Sequence, residues 1–332
     1  MYSSDPESDP FQNTSPGSPI VQNTAVSTEI FKPVLNEAKT KTSTSVISLI
    51  LFAVIGYFAW KSNIRALVII TTVVLIHELG HLLAMKLFNY SNLGIFFIPL
   101  FGGAAKGTKS HISQKQESII LLAGPVPGII TGTVLFVLFK DSFYNPWMYG
   151  FCIGFFYINL INLLPIFPLD GGRLLQTIFL NNSKMLSNIF MGLSIIAIIY
   201  FSITRKDYIF LFFGFMLLIS LVNTIQKQKL LKLLKEEGIE PDITYNQMNK
   251  EQYTHIRQRM VQHITAYKKY DLFEFDINSD KEKTLAKDIE QLFKASPAND
   301  MNLYQKILII GIWVSGFVLP FIIDLPIPFI SR

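Results

Sequence analysis

Apolar residues in this chain come in long, nearly uninterrupted runs rather than in the spaced pattern of half-buried elements. Seven such runs, at approximately 44–60, 66–88, 118–139, 147–164, 185–203, 208–225 and 304–323, approach the roughly 20 residues an α-helix needs to cross a bilayer. The predicted fold is an all-α polytopic membrane protein with about seven transmembrane helices. One apolar stretch does not fit this pattern. Residues 94–108 (GIFFIPLFGGAAKGT) are too few to span, and Pro99 with Gly94, Gly102, Gly103 and Gly107 breaks any helix there. Irregular backbone at membrane depth is tolerated only where protein or a wet cavity satisfies it. The stretch therefore reads as a re-entrant hairpin or, equally well, as an interfacial loop.

The polar positions divide the rest. Residues 1–43 are rich in Ser, Thr, Asn and Pro and read as a disordered polar tail. Residues 44–225 form a six-helix membrane domain. Lys227 to Lys235 (KQKLLKLLK) is basic and amphipathic, and is expected to lie along the membrane surface. Within 226–303 a small helical polar insertion follows. Ile256, Met260, Ile264 and Tyr267 recur at helical spacing, as do Leu285, Ile289, Leu292 and Phe293, and Ser279 with Glu282 makes a capping-box start. Residues 304–332 carry a C-terminal transmembrane helix.

Composition agrees with a bilayer as the main partner. Half of the 332 residues are hydrophobic, 16% are charged and mean hydropathy is +0.37. The net charge of +5 is explained by lysines beside a membrane and gives no reason to expect nucleic acid. The one cysteine, Cys152, excludes disulfides and cysteine-based zinc sites.

Against this background the second span carries His77-Glu78-Leu79-Gly80-His81, an HExxH pattern. Residues four apart share a helix face, so His77 and His81 can offer two imidazole nitrogens to one metal. Glu78 stands one step round, where a carboxylate can take a proton from an attacking water. Charged residues at the centre of a membrane helix cost roughly 3 kcal/mol each, so such a cluster marks function.

A catalytic zinc usually takes three protein ligands. Carboxylates near the spans are few: Glu117, Asp141, Asp170 and Asp207. HExxH lies toward the end of span two and Asp170 at the end of span four, so two crossings bring both to one face of the bilayer. Asp141 and Asp207 fall on the other face. Glu117 is on the correct side but beside Lys115, whereas Asp170 sits in a Pro/Gly-rich break that lets a short side chain approach a neighbouring helix. Asp170 is the better candidate. Lys106, Lys109, Lys115, Arg173 and Lys184 flank that face, which the positive-inside rule makes cytoplasmic.

HELGH, then AGPVPG (123–128), then NLLPIFPLDGGR (162–173) resemble the site-2 protease family of intramembrane zinc metalloproteases over roughly residues 66–180. The resemblance implies one catalytic Zn2+ held by His77, His81 and Asp170, with Glu78 as catalytic base. It matches Asn162 to a residue associated with holding substrate or the oxyanion, and FIPLFGGAA to a membrane-embedded hairpin near the zinc site. It also implies regulated intramembrane proteolysis of membrane protein substrates with a transmembrane segment, and a bacterial plasma membrane is the expected location. Gly128 departs from the family, many of whose members have Asn there, and Phe167 replaces a common Pro. Neither departure is expected to touch the metal site. Two other readings remain: a different class of membrane zinc endopeptidase with a downstream Glu ligand, and a non-catalytic scaffold or transporter retaining a polar cluster.

Overall fold

Helices stand where all seven apolar runs lie. The computed structural model describes residues 31–35, 42–59, 63–99, 102–109, 111–139, 144–206, 208–240, 243–293 and 297–323. Helix α1 covers Thr42–Ala59 and α2 covers Ile64–Leu87, the latter capped by Asn63, whose side chain accepts from the N–H of Ala66 at 3.1 Å. The third run is broken at Gly124 into α3 (Gln114–Ala123) and α4 (Pro125–Phe139). Proline at the first position of α4 forgoes an N–H that a helix start leaves unbonded anyway. Helix α5 (Pro146–Asn162) is followed by the short α6 (Asp170–Leu175), and then by α7 (Lys184–Arg205) and α8 (Tyr208–Glu236). Helices α9 (Lys250–His263) and α10 (Asp280–Leu292) form the polar part, and α11 (Leu303–Ile322) closes the described chain.

Among the described residues, five stretches are long and apolar enough to cross a membrane: Ile64–Leu87, Gln114–Phe139, Lys184–Arg205, Tyr208–Glu236 and Leu303–Pro320. This is a mostly helical, multi-pass chain. A core of Leu121, Ile129, Cys152, Phe156, Leu163, Leu174 and Ile178 ties α3 to α6, and Ile309 of α11 packs into it.

One expectation needs correction. The chain is not all-α: β1 (Ser91–Ile98) and β2 (Gly102–Thr108) pair antiparallel, with Ile95 opposite Ala105 and Ile98 opposite Gly102. The glycines deny a helix, while Ile95, Phe96 and Phe97 favour a strand. Phe97 packs on Phe52 of α1 at 5.9 Å, and its N–H donates to Ser48 Oγ at 3.1 Å.

Lys227–Lys235, expected to lie along the membrane surface, is the last part of α8. No Gly or Pro interrupts the chain there, so α8 simply continues to Glu236. Its Leu230 and Leu234 are 1% exposed, and polar residues beside them dock on the insertion. Gln226 donates to Thr265 Oγ1 at 3.0 Å, and Lys227 lies 3.5 Å from Asp288. Tyr253, Ile256, Met260, Leu285, Ala286 and Ile289 of α9 and α10 are buried as well.

The expected tail is described only at 31–35 and from Thr42 on. Helix α1 begins at Thr42, and Lys32 donates from Nζ to the carbonyls of Tyr245 (2.7 Å), Asn246 (3.2 Å) and Met248 (2.8 Å). Tyr245 returns a bond from its hydroxyl to Pro33 O at 2.8 Å. Residues 1–30 and 36–41 of the expected disordered tail, together with Asp141 and Asp207, lie outside the described residues.

Candidate metal centre

On α2 the spacing of four turns His77 and His81 inward, where both are buried, and their rings meet edge to face. The turn after α5 brings Asp170 to them from two helices away. His77 Nε2, His81 Nε2 and Asp170 Oδ2 form a triangle with every edge 3.1 Å. Among the described residues this is the one group of His, Cys, Asp or Glu spaced to hold a metal ion. Glu117, the other carboxylate on that face, is not part of it.

Hydrogen bonds on the far side of each ring fix what the triangle presents. His81 Nδ1 lies 2.7 Å from Ile120 O, a carbonyl that can only accept. His77 Nδ1 lies 2.8 Å from Asn159 Oδ1, and the Asn159 amide is oriented because its Nδ2 donates to Phe155 O at 2.7 Å. Both imidazoles must therefore donate from Nδ1, which leaves both Nε2 atoms as bare acceptors in the neutral ring. Three acceptors converge with no proton of their own between them, in a buried place. Such an arrangement asks for a cation. Donors bonded tetrahedrally to zinc at about 2.0–2.1 Å stand about 3.3 Å apart, so the triangle fits that ion closely.

Glu78 is buried beside them, within electrostatic reach of all three. Its carboxylate lies against Gly103 of β2, and Oε2 is buried without a hydrogen-bond partner. Close backbone approach makes this possible. A Cβ on Gly103 would fall on the Glu78 carboxylate, and one on Gly124 would fall on the His81 ring.

Asn162 is not drawn into the cluster. Its Nδ2 donates to Ile158 O of its own helix at 2.9 Å. The asparagine that reaches the centre is Asn159, fully buried one turn earlier. The signal for it is the same as for Asn162, a polar amide in an apolar helix that needs a partner. The expectation about Gly128 changes with it. A Cβ there would overlap the Asn159 amide, so this glycine makes room for the residue that orients His77.

Residues 65–143 match the family model described as Peptidase family M50. The matched segment is 79 of the 332 residues. It contains His77, Glu78 and His81, and stops short of Asp170. The M50 match is accompanied by similarity to Stage IV sporulation protein FB of Bacillus subtilis, 34% identical over 122 residues, or 35% of this chain and 41% of that protein. A zinc metalloprotease of Methanocaldococcus jannaschii is 33% identical over 137 residues, covering 38% of this chain and 40% of its own. The chain thus spans about two fifths of the length of the curated relatives it matches. A site-2 protease structure from Methanocaldococcus jannaschii aligns with 53% of this chain and 86% of its own, at a TM-score of 0.42 and 24% identity.

Proposed function

We propose that this chain is an intramembrane zinc metalloendopeptidase that hydrolyses peptide bonds within or near transmembrane segments of membrane proteins. The observation that carries the reading is the 3.1 Å triangle of acceptor atoms with Glu78 beside it, set in helices long enough to cross a membrane. The M50 match of the segment bearing HExxH supports it.

His77, His81 and Asp170 would hold the ion. Bound zinc would acidify a water and polarise the peptide carbonyl. Glu78 receives the proton given up on attack and returns it to the leaving nitrogen, for which its unpartnered Oε2 is free. Asn159 and Ile120 hold the two rings in one tautomer throughout, so no reorganisation is needed at the moment of reaction. Asn162 would bind substrate or the oxyanion only after leaving its bond to Ile158, so it is a weaker candidate for that role than sequence reasoning made it.

A substrate helix must unwind before its carbonyls can be attacked. Strand β2 pairs with β1 on one side, and its other edge runs past Glu78, so the unwound segment can add there as a third strand. In this reading the β1–β2 hairpin enters the membrane beside the zinc site, α1 and α5 also cross, and the triad opens toward the cytoplasm of a bacterial plasma membrane. Replacing one substrate amide by an ester near the scissile bond should then slow cleavage about tenfold. Unchanged cleavage along a series of such esters would remove strand addition. The function itself is tested by comparing membrane proteomes with wild-type and Glu78→Gln protein. Fragments ending inside apolar spans are expected only with the wild type, and identical fragment sets would overturn the proposal.

A further inference from the structure

Asp170 reaches the histidines from a turn, residues 163–169, in which Pro165 and Pro168 prevent α5 from continuing. In an unbroken helix the carbonyl of Leu163 would accept from the N–H of Phe167. Here each of those two groups is bonded by a side chain from a different helix. Trp313 of α11 donates from Nε1 to Leu163 O at 2.8 Å, and Phe167 N–H donates to Ser194 Oγ of α7 at 3.0 Å. Ser194 is itself oriented, since its hydroxyl donates to Phe190 O at 2.9 Å. The two bonds grip the turn from opposite ends. Phe167 packs beside Met191, Ile195, Leu217 and Leu221, while Leu163 is fully buried and touches Gly316 of α11.

The grip is transmitted to Asp170 through one close approach. The Cα of Gly171 lies so near the Leu163 carbonyl that a Cβ would overlap it. The carbonyl Trp313 holds is therefore the surface against which the ligand-bearing residue's neighbour rests. We propose that Trp313 and Ser194 are positioning residues for the metal site, a clasp that replaces the missing helical hydrogen bond and fixes where Asp170 stands relative to His77 and His81. Neither lies in the M50-matched segment, and Trp313 arrives only after the polar insertion. The inference rests on the reading of His77, His81 and Asp170 as zinc ligands.

The test is zinc affinity of the full chain in detergent micelles, by chelator competition, together with the visible spectrum of the Co2+-loaded protein. Trp313→Phe keeps the ring and loses the donor, and Ser194→Ala loses the acceptor. Each is expected to weaken zinc binding about tenfold and to alter the Co2+ bands, in line with groups that orient metal ligands. Ser194→Thr, which keeps the hydroxyl, should restore both. Asn188→Ala, which removes a comparable bond between α7 and α8 (to Gln228, 2.8 Å), should change neither. Affinities of Trp313→Phe and Ser194→Ala within twofold of wild type, or an equal loss in Asn188→Ala, would overturn the clasp. Asp170→Ala measured in parallel separates the two levels. If it binds zinc like wild type, the ligand assignment falls and the clasp with it. If it loses zinc while the clasp variants do not, only the clasp falls.

Discussion

Two regions of this protein bury charge, and they do so in opposite ways. In the polar insertion Arg257 and Glu282 are almost wholly hidden, at 1% and 2% exposure, and everything they need is supplied from within. The guanidinium meets the carboxylate twice, at 2.6 and 3.2 Å, gives its remaining edge to Leu272 O at 3.0 Å and lies against Phe275. Tyr253 donates to the same carboxylate at 3.3 Å. At the metal centre on α2, three acceptors converge without a donor, and Glu78 keeps one oxygen unpartnered. The first arrangement is complete. The second is complete only when something from outside, a cation and a reacting group, joins it. Burial of charge does not by itself distinguish a structural site from a chemical one. The distinction lies in whether the donors and acceptors balance.

The largest effect is expected at Glu78. Glu78→Gln keeps the shape of the side chain and removes the base, so cleavage of a membrane substrate should fall by about 10²–10⁴-fold while zinc content stays at the wild-type level. In the balanced region, Glu282→Ala strands a buried guanidinium. It should destabilise the insertion by about 3–5 kcal/mol in denaturant unfolding or hydrogen exchange, with zinc affinity unchanged. Replacing both partners, Arg257→Met with Glu282→Leu, should cost far less than that, because a balanced pair can be exchanged for apolar packing. Asn159→Leu sharpens the contrast in the core, where losing the group that sets the His77 tautomer should weaken zinc binding about 10–100-fold. The smallest effect is expected at the tether. Lys32→Ala should loosen residues 32–35 from the insertion by about 1 kcal/mol, seen as faster hydrogen exchange at Tyr245 to Met248.

Much of this was readable in the chain. Long apolar runs located the helices because a bilayer demands length and apolarity and little else. The HExxH spacing put His77 and His81 on one face, and the scarcity of carboxylates together with the parity of crossings pointed to Asp170. What was missed depended on partners distant in sequence. Asn159 and Asn162 are chemically alike, and only the position of His77 separates the residue at the centre from the one bonded to its own helix. KQKLLKLLK has the pattern of a membrane-surface helix, and its Leu230 and Leu234 are buried within the protein. Ser279 does cap α10, accepting from the N–H of Glu282 at 3.2 Å, yet the Glu282 carboxylate is claimed by Arg257 and does not close the box. In each case a local motif was read correctly as a local preference, and tertiary contact decided its use.

The central claim is that the buried acceptor triangle exists to hold one zinc ion. Its most direct test is the zinc content of the purified, full-length wild-type protein beside that of Asp170→Ala. About one zinc per chain in the wild type and a large loss in Asp170→Ala is the predicted result. A wild type without zinc, or an Asp170→Ala variant that keeps its full share, would contradict it.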